Sequence, residues 1–334
     1  MRRNSGRFAG VLACLMALFF AFFARDAEAT VMFRLSNQFP GTHLISRALV
    51  IFAEKINEYS NGTLECRIFD NAQLYRDTEI VEALLDNLVD TGLVATNQWS
   101  GMVPAIDVFD IPFVFKDLTS IKKFLDAGAA ELLDRELEAM GIKNLFWVDY
   151  GYIQFYNNRR PIRTPADMRG LTMRSFSATD AETLRLLGAA PTVMSSSEMY
   201  MALQRGTVDG ATTGMPAAVS RRIFEVQRYM TVANYSTAQF VVQGNLAWWS
   251  TLSPEHQDVV KRAGLYAEAW IRDNVAEAES EAQQIITDSG VEVYILNDEE
   301  RRGFQEMTVP ARDIFTRNTG GLGVRLLEIA DSID

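Results

Sequence analysis

Only two histidines and two cysteines occur in the 334 residues, and that scarcity removes several function classes at once. His43 and His256 stand far apart, so no HExxH metal site or histidine-centred triad can be read from local spacing. Both are expected to be surface or packing residues. No CxxC, GxSxG or GxxxxGK[ST] pattern occurs, which leaves redox, serine-hydrolase and phosphate-loop chemistry without a carrier. Gly320-Gly321-Leu322-Gly323 lacks the preceding strand of a dinucleotide loop and is expected to be a turn before the last helix. Paired carboxylates can do acid–base work without histidine, but no pair stands out by spacing among 43 acidic residues. The expectation is a protein with no catalytic residue, no metal and no cofactor.

Positive charge is also short. Lys and Arg number 32 against 43 Asp and Glu, a net charge of −11. Such a surface repels phosphate backbones, so no nucleic-acid partner is expected. A locally basic pocket for a small anion remains compatible with it. The one long apolar run, Ala9 to Ala24, follows Arg2, Arg3 and Arg7 and precedes Ala27-Glu28-Ala29. A positive start, an apolar stretch and a small-x-small site make a secretory leader, with cleavage expected after Ala29. The run is short for a membrane span, and no second one of spanning length follows. Losing residues 1–29 removes four arginines and two acids, so the remaining 305 residues carry −13. Cys14 leaves with the leader, which excludes an internal disulfide. Cys66 alternates with Leu64 and Ile68 in a strand pattern and is expected to be a small buried hydrophobe.

What the chain has in quantity is alternation of helical and strand patterns, the mark of an α/β fold. Met32–Leu35 reads as a first strand. A helix over about 43–59 follows, with Ile45, Leu49, Phe52 and Ile56 on one face and Ser60-Asn61-Gly62 as its stop. Strands are predicted at Thr63–Phe69, Thr91–Thr96, Asn144–Val148 and Ile153–Tyr156, the last two separated by Asp149-Tyr150-Gly151-Tyr152, and a helix at Thr78–Leu88. Ser253-Pro254-Glu255 is an N-cap with proline in the first turn, and the pattern behind it runs to about Asp288. Such a helix would be about 50 Å long, enough to span two lobes, and some 300 mature residues exceed what one core usually holds. An internal echo supports two lobes: Ala83-Leu84…Val89-Asp90 matches Ala202-Leu203…Val208-Asp209, both at a helix end, a tight turn and the start of a buried strand.

The most informative stretch is 161–210. It opens PIRTPADMRGLTMR and continues through LGAAPTVMSSSEMYMALQRGTVDG. A short apolar strand, 171–174, ends on Arg174. An arginine at the C-terminal end of such a strand points into the crevice where open α/β sheets bind ligands. Its fork can hold a carboxylate through two parallel hydrogen bonds. These residues resemble the substrate-binding proteins of TRAP (tripartite ATP-independent periplasmic) transporters, whose signature reads PxxTPxDxxGLxxR followed by ALQxGxVDG. Phe33–Leu74, Val108–Phe115 and the entry to the long helix from Asn245 resemble the same family in order and spacing. The resemblance implies a two-lobed periplasmic-binding-protein fold (type II-like) with a long helix across both lobes. It also implies that Arg174 holds the solute's carboxylate and that the partners are small and large permease subunits in the membrane. A monomeric periplasmic receptor is expected. A sensor or chemoreceptor on the same fold and a secreted enzyme acting on a carboxylate stay open as alternatives.

Two departures from the family pattern bear on the ligand. Many relatives carry a second arginine near the position of Gln154, and a Glu-Asn pair where this chain has Ala211-Thr212-Thr213-Gly214. Gln154 and Thr213 keep hydrogen-bonding capacity without charge, which predicts a monocarboxylate over a dicarboxylate. Arg76 is a candidate second cation from the opposite lobe. Further lining candidates at crevice-edge positions are Gln38, Asn97, Gln98, Trp99, Tyr152, Phe176 and Phe240. Lobe I is placed at 30–151 plus 240–279 and lobe II at 152–239 plus 280–334, with hinge crossovers near Gly151 and Gln239.

Overall fold

The structure is a computed structural model that describes residues 30–333; the expected leader and its cleavage after Ala29 lie outside the described residues. In chain order the strands are β1 (Val31–Ser36), β2 (Leu64–Phe69), β3 (Thr91–Ala95), β4 (Ile142–Asn157), β5 (Thr172–Ser175), β6 (Ala190–Val193), β7 (Gly210–Gly214), β8 (Tyr229–Asn245) and β9 (Glu292–Ile295). The helices are α1 (Leu44–Tyr59), α2 (Ile80–Leu85), α3 (Leu118–Phe124), α4 (Ala130–Ala139), α5 (Ala178–Leu186), α6 (Met199–Gln204), α7 (Met215–Ser220), α8 (Leu246–Thr251), α9 (Pro254–Asp288), α10 (Asp298–Thr308) and α11 (Pro310–Ser332).

Two similar units share one sheet, in the order β2-β1-β3-β8-β4-β7-β5-β6 with β9 beside β8. In lobe I the parallel strands β2-β1-β3 end against antiparallel β8, and in lobe II the parallel strands β6-β5-β7 end against antiparallel β4. β4 and β8 pair with each other through the middle. The internal echo falls at α2–β3 in one unit and α6–β7 in the other, the same place in each.

Local chemistry explains the long elements. α1 buries Ile45, Leu49, Phe52 and Ile56, and its first turn is capped by His43, whose ring nitrogen accepts from the Ile45 N–H. α9 is capped by Ser253, carries Pro254 in its first turn and runs 35 residues, about 50 Å at the usual rise. It lies along α1 and β4 in lobe I and reaches α7 in lobe II.

Three features depart from the expected organisation. The polar tetrapeptide Asp149–Tyr152 does not break the strand, because the partners of Asp149 lie within the fold. Its Oδ2 meets Arg272 Nε of α9 at 3.0 Å and its Oδ1 accepts from Gln239 at 2.9 Å. β4 therefore continues through a bulge between Asp149 and Gly151. Gly320-Gly321-Leu322-Gly323 lies inside α11, where Gly320 (φ 59°) kinks the helix rather than preceding it. Finally, residues 310–332, given to lobe II from sequence, bury Phe315, Leu326 and Ile329 with Ile106, Phe109 and Leu133 of lobe I. Only the preceding part, through Ala282, Ile286 and Val291, joins the lobe II core.

Gly151 sits at φ +108°, and a Cβ there would lie 2.5 Å from Glu279 Oε1 of α9, which accepts from the Tyr152 N–H at 2.6 Å. Gly151→Ala is therefore expected to cost about 2 kcal/mol of stability through backbone strain and crowding. Gly101→Ala, with nothing within 4 Å, should change it by less than about 0.5 kcal/mol. Urea unfolding of the two variants checks this, and equal midpoints would refute it.

Candidate functional site

Strand ends decide where side chains converge. β1 and β3 of lobe I, and β5 and β7 of lobe II, point their C-terminal ends at one crevice, where open α/β sheets place ligands. Between the lobes lies a cavity of about 460 Å³, counted out to its mouth. Its walls are Gln38, Phe39, Asp77, Asn97, Gln98 and Phe240 from the lobe I side and β8. Arg174, Phe176, Ser196, Thr213 and Arg221 come from lobe II, and Tyr150 and Ile153 from β4.

Arg174 is only 3% exposed. Nε and Nη2 donate to Met194 O at 3.2 and 3.1 Å, and Nη1 donates to Thr212 O at 3.0 Å. No carboxylate lies within ion-pair distance of it among the described residues. Of the five N–H groups of a guanidinium, one on Nη1 and one on Nη2 are left without a protein acceptor. Burial pulls its pKa below the usual arginine range, an effect that Asp77 and Asp180 oppose. An anion entering the cavity would supply what the protein withholds.

A second guanidinium shares the site. Arg221 follows the short α7 and folds back over the cavity, stacking on Phe39 with its guanidinium carbon 5.3 Å from the ring centre. Its Nη2 donates to the Gln38 carbonyl at 3.1 Å, while its buried Nε has no partner. Asp77 is the only acid in the lining. Burial alone would raise its pKa, but hydrogen bonds from Ser195 and Ser196 outweigh that and hold it below the usual range.

The lobes meet around this cavity in a closed arrangement. Ser196 Oγ donates to Gln38 Oε1 at 2.9 Å and Ser196 N to Asp77 Oδ2 at 2.9 Å. On the other flank Ser177 Oγ donates to Asp110 Oδ2 at 2.8 Å.

Of the residues singled out from sequence, Arg174, Thr213, Gln38, Gln98, Phe176 and Phe240 line the cavity, as does Asn97. Four do not. Gln154 is buried with its polar atoms in use: Oε1 accepts from the N–H of Ala233 and Asn234, and Nε2 donates to Asn234 Oδ1. It braces the irregular stretch of β8 around Asn234 (φ 44°). Trp99 is fully buried in the lobe I core, its indole N–H on Gln243 at 2.9 Å. Tyr152 turns its hydroxyl toward Lys116 O at 3.4 Å, outside the lining. Arg76 is exposed and paired with Glu79 and Glu198, outside the lining. The second cation is therefore Arg221, which lies seven residues past the end of β7; Asp77, Ser196 and Tyr150 were likewise missed. No sequence pattern marks them, since each reaches the cavity from a loop, a helix end or a strand middle.

A family model described as "Bacterial extracellular solute-binding protein, family 7" (DctP) matches residues 35–318. The chain is 30% identical over 283 residues to the C4-dicarboxylate-binding periplasmic protein DctP of Rhodobacter capsulatus, covering 84% of each chain. It is similar to a solved TRAP periplasmic solute-binding protein from Sulfitobacter with bound β-D-galacturonate, with a TM-score of 0.85, 27% identity, and coverage of 90% of this chain and 99% of that one. Another from Shewanella oneidensis, with bound succinate, gives a TM-score of 0.86 at 26% identity over 91% and 99% of the two chains.

His43 supports the lining from behind. It stacks on Phe39 with ring centres 4.0 Å apart, and burial, with the nearby Arg221 charge, pushes its pKa down from 6.5 to about 3. A base whose folded pKa is depressed contributes stability that is complete above pH 6.5 and is lost as pH falls toward 3, of order 5 kcal/mol in all. Asn at position 43 can keep the helix cap without titrating. His43→Asn should therefore lose less stability than the parent between pH 7 and pH 4.5. Parallel melting curves against pH for the two proteins would contradict this.

Proposed function

The chain belongs to the DctP family of bacterial extracellular solute-binding proteins, and from that premise we propose that it is the periplasmic receptor of a TRAP transporter. In this reading it captures a small organic acid between its lobes and hands it to the small and large permease subunits, acting by binding rather than by chemistry. Arg174 is the carboxylate anchor. The observation that carries this role is a buried guanidinium held only by neutral carbonyls, with two N–H groups to spare. A carboxylate accepting both makes a bidentate charge-assisted contact. The lobe II backbone that fixes Arg174 supplies the preorganisation, and closure excludes water from the contact.

The ligand's charge follows from the lining. Arg174 and Arg221 carry two positive charges and Asp77 one negative, so a single carboxylate balances the cavity. That favours a monocarboxylate, the charge type of the galacturonate in the Sulfitobacter protein, although another relative is named for C4-dicarboxylates. Apolar walls from Phe39, Phe176 and Phe240 with a few placed polar groups suit a small acid. The division into lobe I (30–151, 240–279) and lobe II (152–239, 280–334) becomes, in this reading, two bodies hinged at Gly151 and Gln239, with residues 310–333 riding on lobe I.

The test is a thermal-shift and calorimetric titration with succinate, L-malate, D-erythronate, D-galactonate and D-galacturonate. At least one acid should raise the melting temperature, by an amount equivalent to roughly 3 kcal/mol at 100 times its dissociation constant. Arg174→Lys keeps a charge but loses the fork, and should weaken the tightest of them about 100-fold, close to 3 kcal/mol. Unchanged affinity in that variant would remove Arg174 from the role.

A further inference from the structure

Two buried donors in the cavity wall have no acceptor, and they come from opposite lobes. Gln38 Nε2 belongs to the loop after β1, and Arg221 Nε to the segment after α7. They are neighbours, because Arg221 Nη2 donates to the carbonyl of Gln38 itself at 3.1 Å. The Gln38 amide is oriented by Ser196 Oγ, which occupies its Oε1 at 2.9 Å and leaves Nε2 turned elsewhere. Phe39 carries the Arg221 guanidinium on its face. A buried donor without a partner costs free energy, and here the two donors come from the two sides of the crevice.

Building on the receptor reading above, we infer that Gln38 and Arg221 hold one further oxygen of the ligand, separate from the carboxylate on Arg174, and that this shared contact is what keeps the lobes closed. Because both groups donate, the oxygen must accept. A hydroxyl meets the site best, since it can also donate to Asp77, whose carboxylate lines the same wall and keeps acceptor capacity on Oδ2 beyond the bonds from Ser195, Ser196 and the Thr78 N–H. The ligand class is thus a hydroxylated acid. Arg174 sets affinity for any carboxylate, whereas the Gln38–Arg221 pair selects acids carrying the second oxygen and converts binding into closure.

Two substitutions separate these roles. Gln38→Glu keeps the acceptor for Ser196 but replaces the donor, and Arg221→Gln removes the Nε donor. The probe is the tightest binder among the five acids named above, which should be one of the hydroxylated ones. Closure is read by electron–electron resonance between spin labels at Glu82→Cys and Arg205→Cys, both exposed and on opposite lobes, while Cys66 is buried. In the otherwise unsubstituted protein, saturating acid should shift the label distance. Each variant should bind 10- to 100-fold more weakly and stay largely unshifted even at saturation. The two losses should be less than additive in the double variant, because both act on one oxygen. Arg221→Met, which retains an apolar stem on Phe39, replaces Arg221→Gln should the latter lower the unliganded melting temperature. If either variant binds within threefold of the parent and closes fully, the inference is wrong, and it falls alone if Arg174→Lys still loses binding. If the parent binds none of the five acids, the inference and the receptor reading fall together.

Discussion

A guanidinium taken out of water needs a directly paired acid or a full set of neutral acceptors, and Arg174 has neither, since Asp77 and Asp180 act on it only from beyond ion-pair distance. Two backbone carbonyls take three of its hydrogen bonds, and the remaining N–H groups face a cavity walled by both lobes. Desolvating a charge without a directly paired counter-ion is expensive, a cost that an anion in the cavity would relieve. That cost is set by the end of β5, the Met194 turn after β6 and β7, all within lobe II. Lobe I adds contacts across the crevice: Gln38 to Ser196 and to Arg221, and Asp77 to Ser196. On the proposed reading, binding and closure would draw on different residues, so that one could be weakened without the other.

The proposed hinge has a structure that would let this division be used. β4 and β8 carry the chain between lobes, and the bulge at Asp149–Gly151 marks where β4 bends. α9 holds that bend from outside through Arg272 on Asp149 and Glu279 on the Tyr152 N–H. Burial raises the Glu279 pKa to about 7 against a single backbone donor that lowers it, and Gly151 leaves the space that its carboxyl fills. A helix packed on lobe I and reaching lobe II at α7 would, on the proposed reading, restrict relative motion to rotation about this bend, the hinge mode of two-domain receptors.

Much of the framework was legible in the sequence because it is written in local rules. The Ser253–Pro254 cap and an unbroken helical pattern locate α9, and alternation of strand and helix with a repeated helix–turn–strand unit gives paired lobes. Arg174 stood out because residue type and strand-end position agree. What could not be read was set by long-range geometry. Gln154 looked like a ligand group, but its amide is consumed by an irregular stretch of β8 some 80 residues away. Trp99 follows a strand end yet turns into the core. Arg221 reaches the site only because α7 is short enough to fold its end back over Phe39, and Asp77 arrives from a loop held by Ser195 and Ser196. Arg76, the candidate second cation, is paired with Glu79 and Glu198 outside the lining for that reason, and the second cation in the lining, Arg221, comes from a different element.

Nitrogen-15 NMR of the arginine side chains gives a direct view of the guanidinium on which the rest depends. On adding the tightest-binding acid, the Arg174 Nη–H signals should move downfield and slow in exchange with water, as two bare donors gain a carboxylate. Signals of Arg174 that stay unchanged while the acid binds would place the carboxylate elsewhere and contradict the assignment.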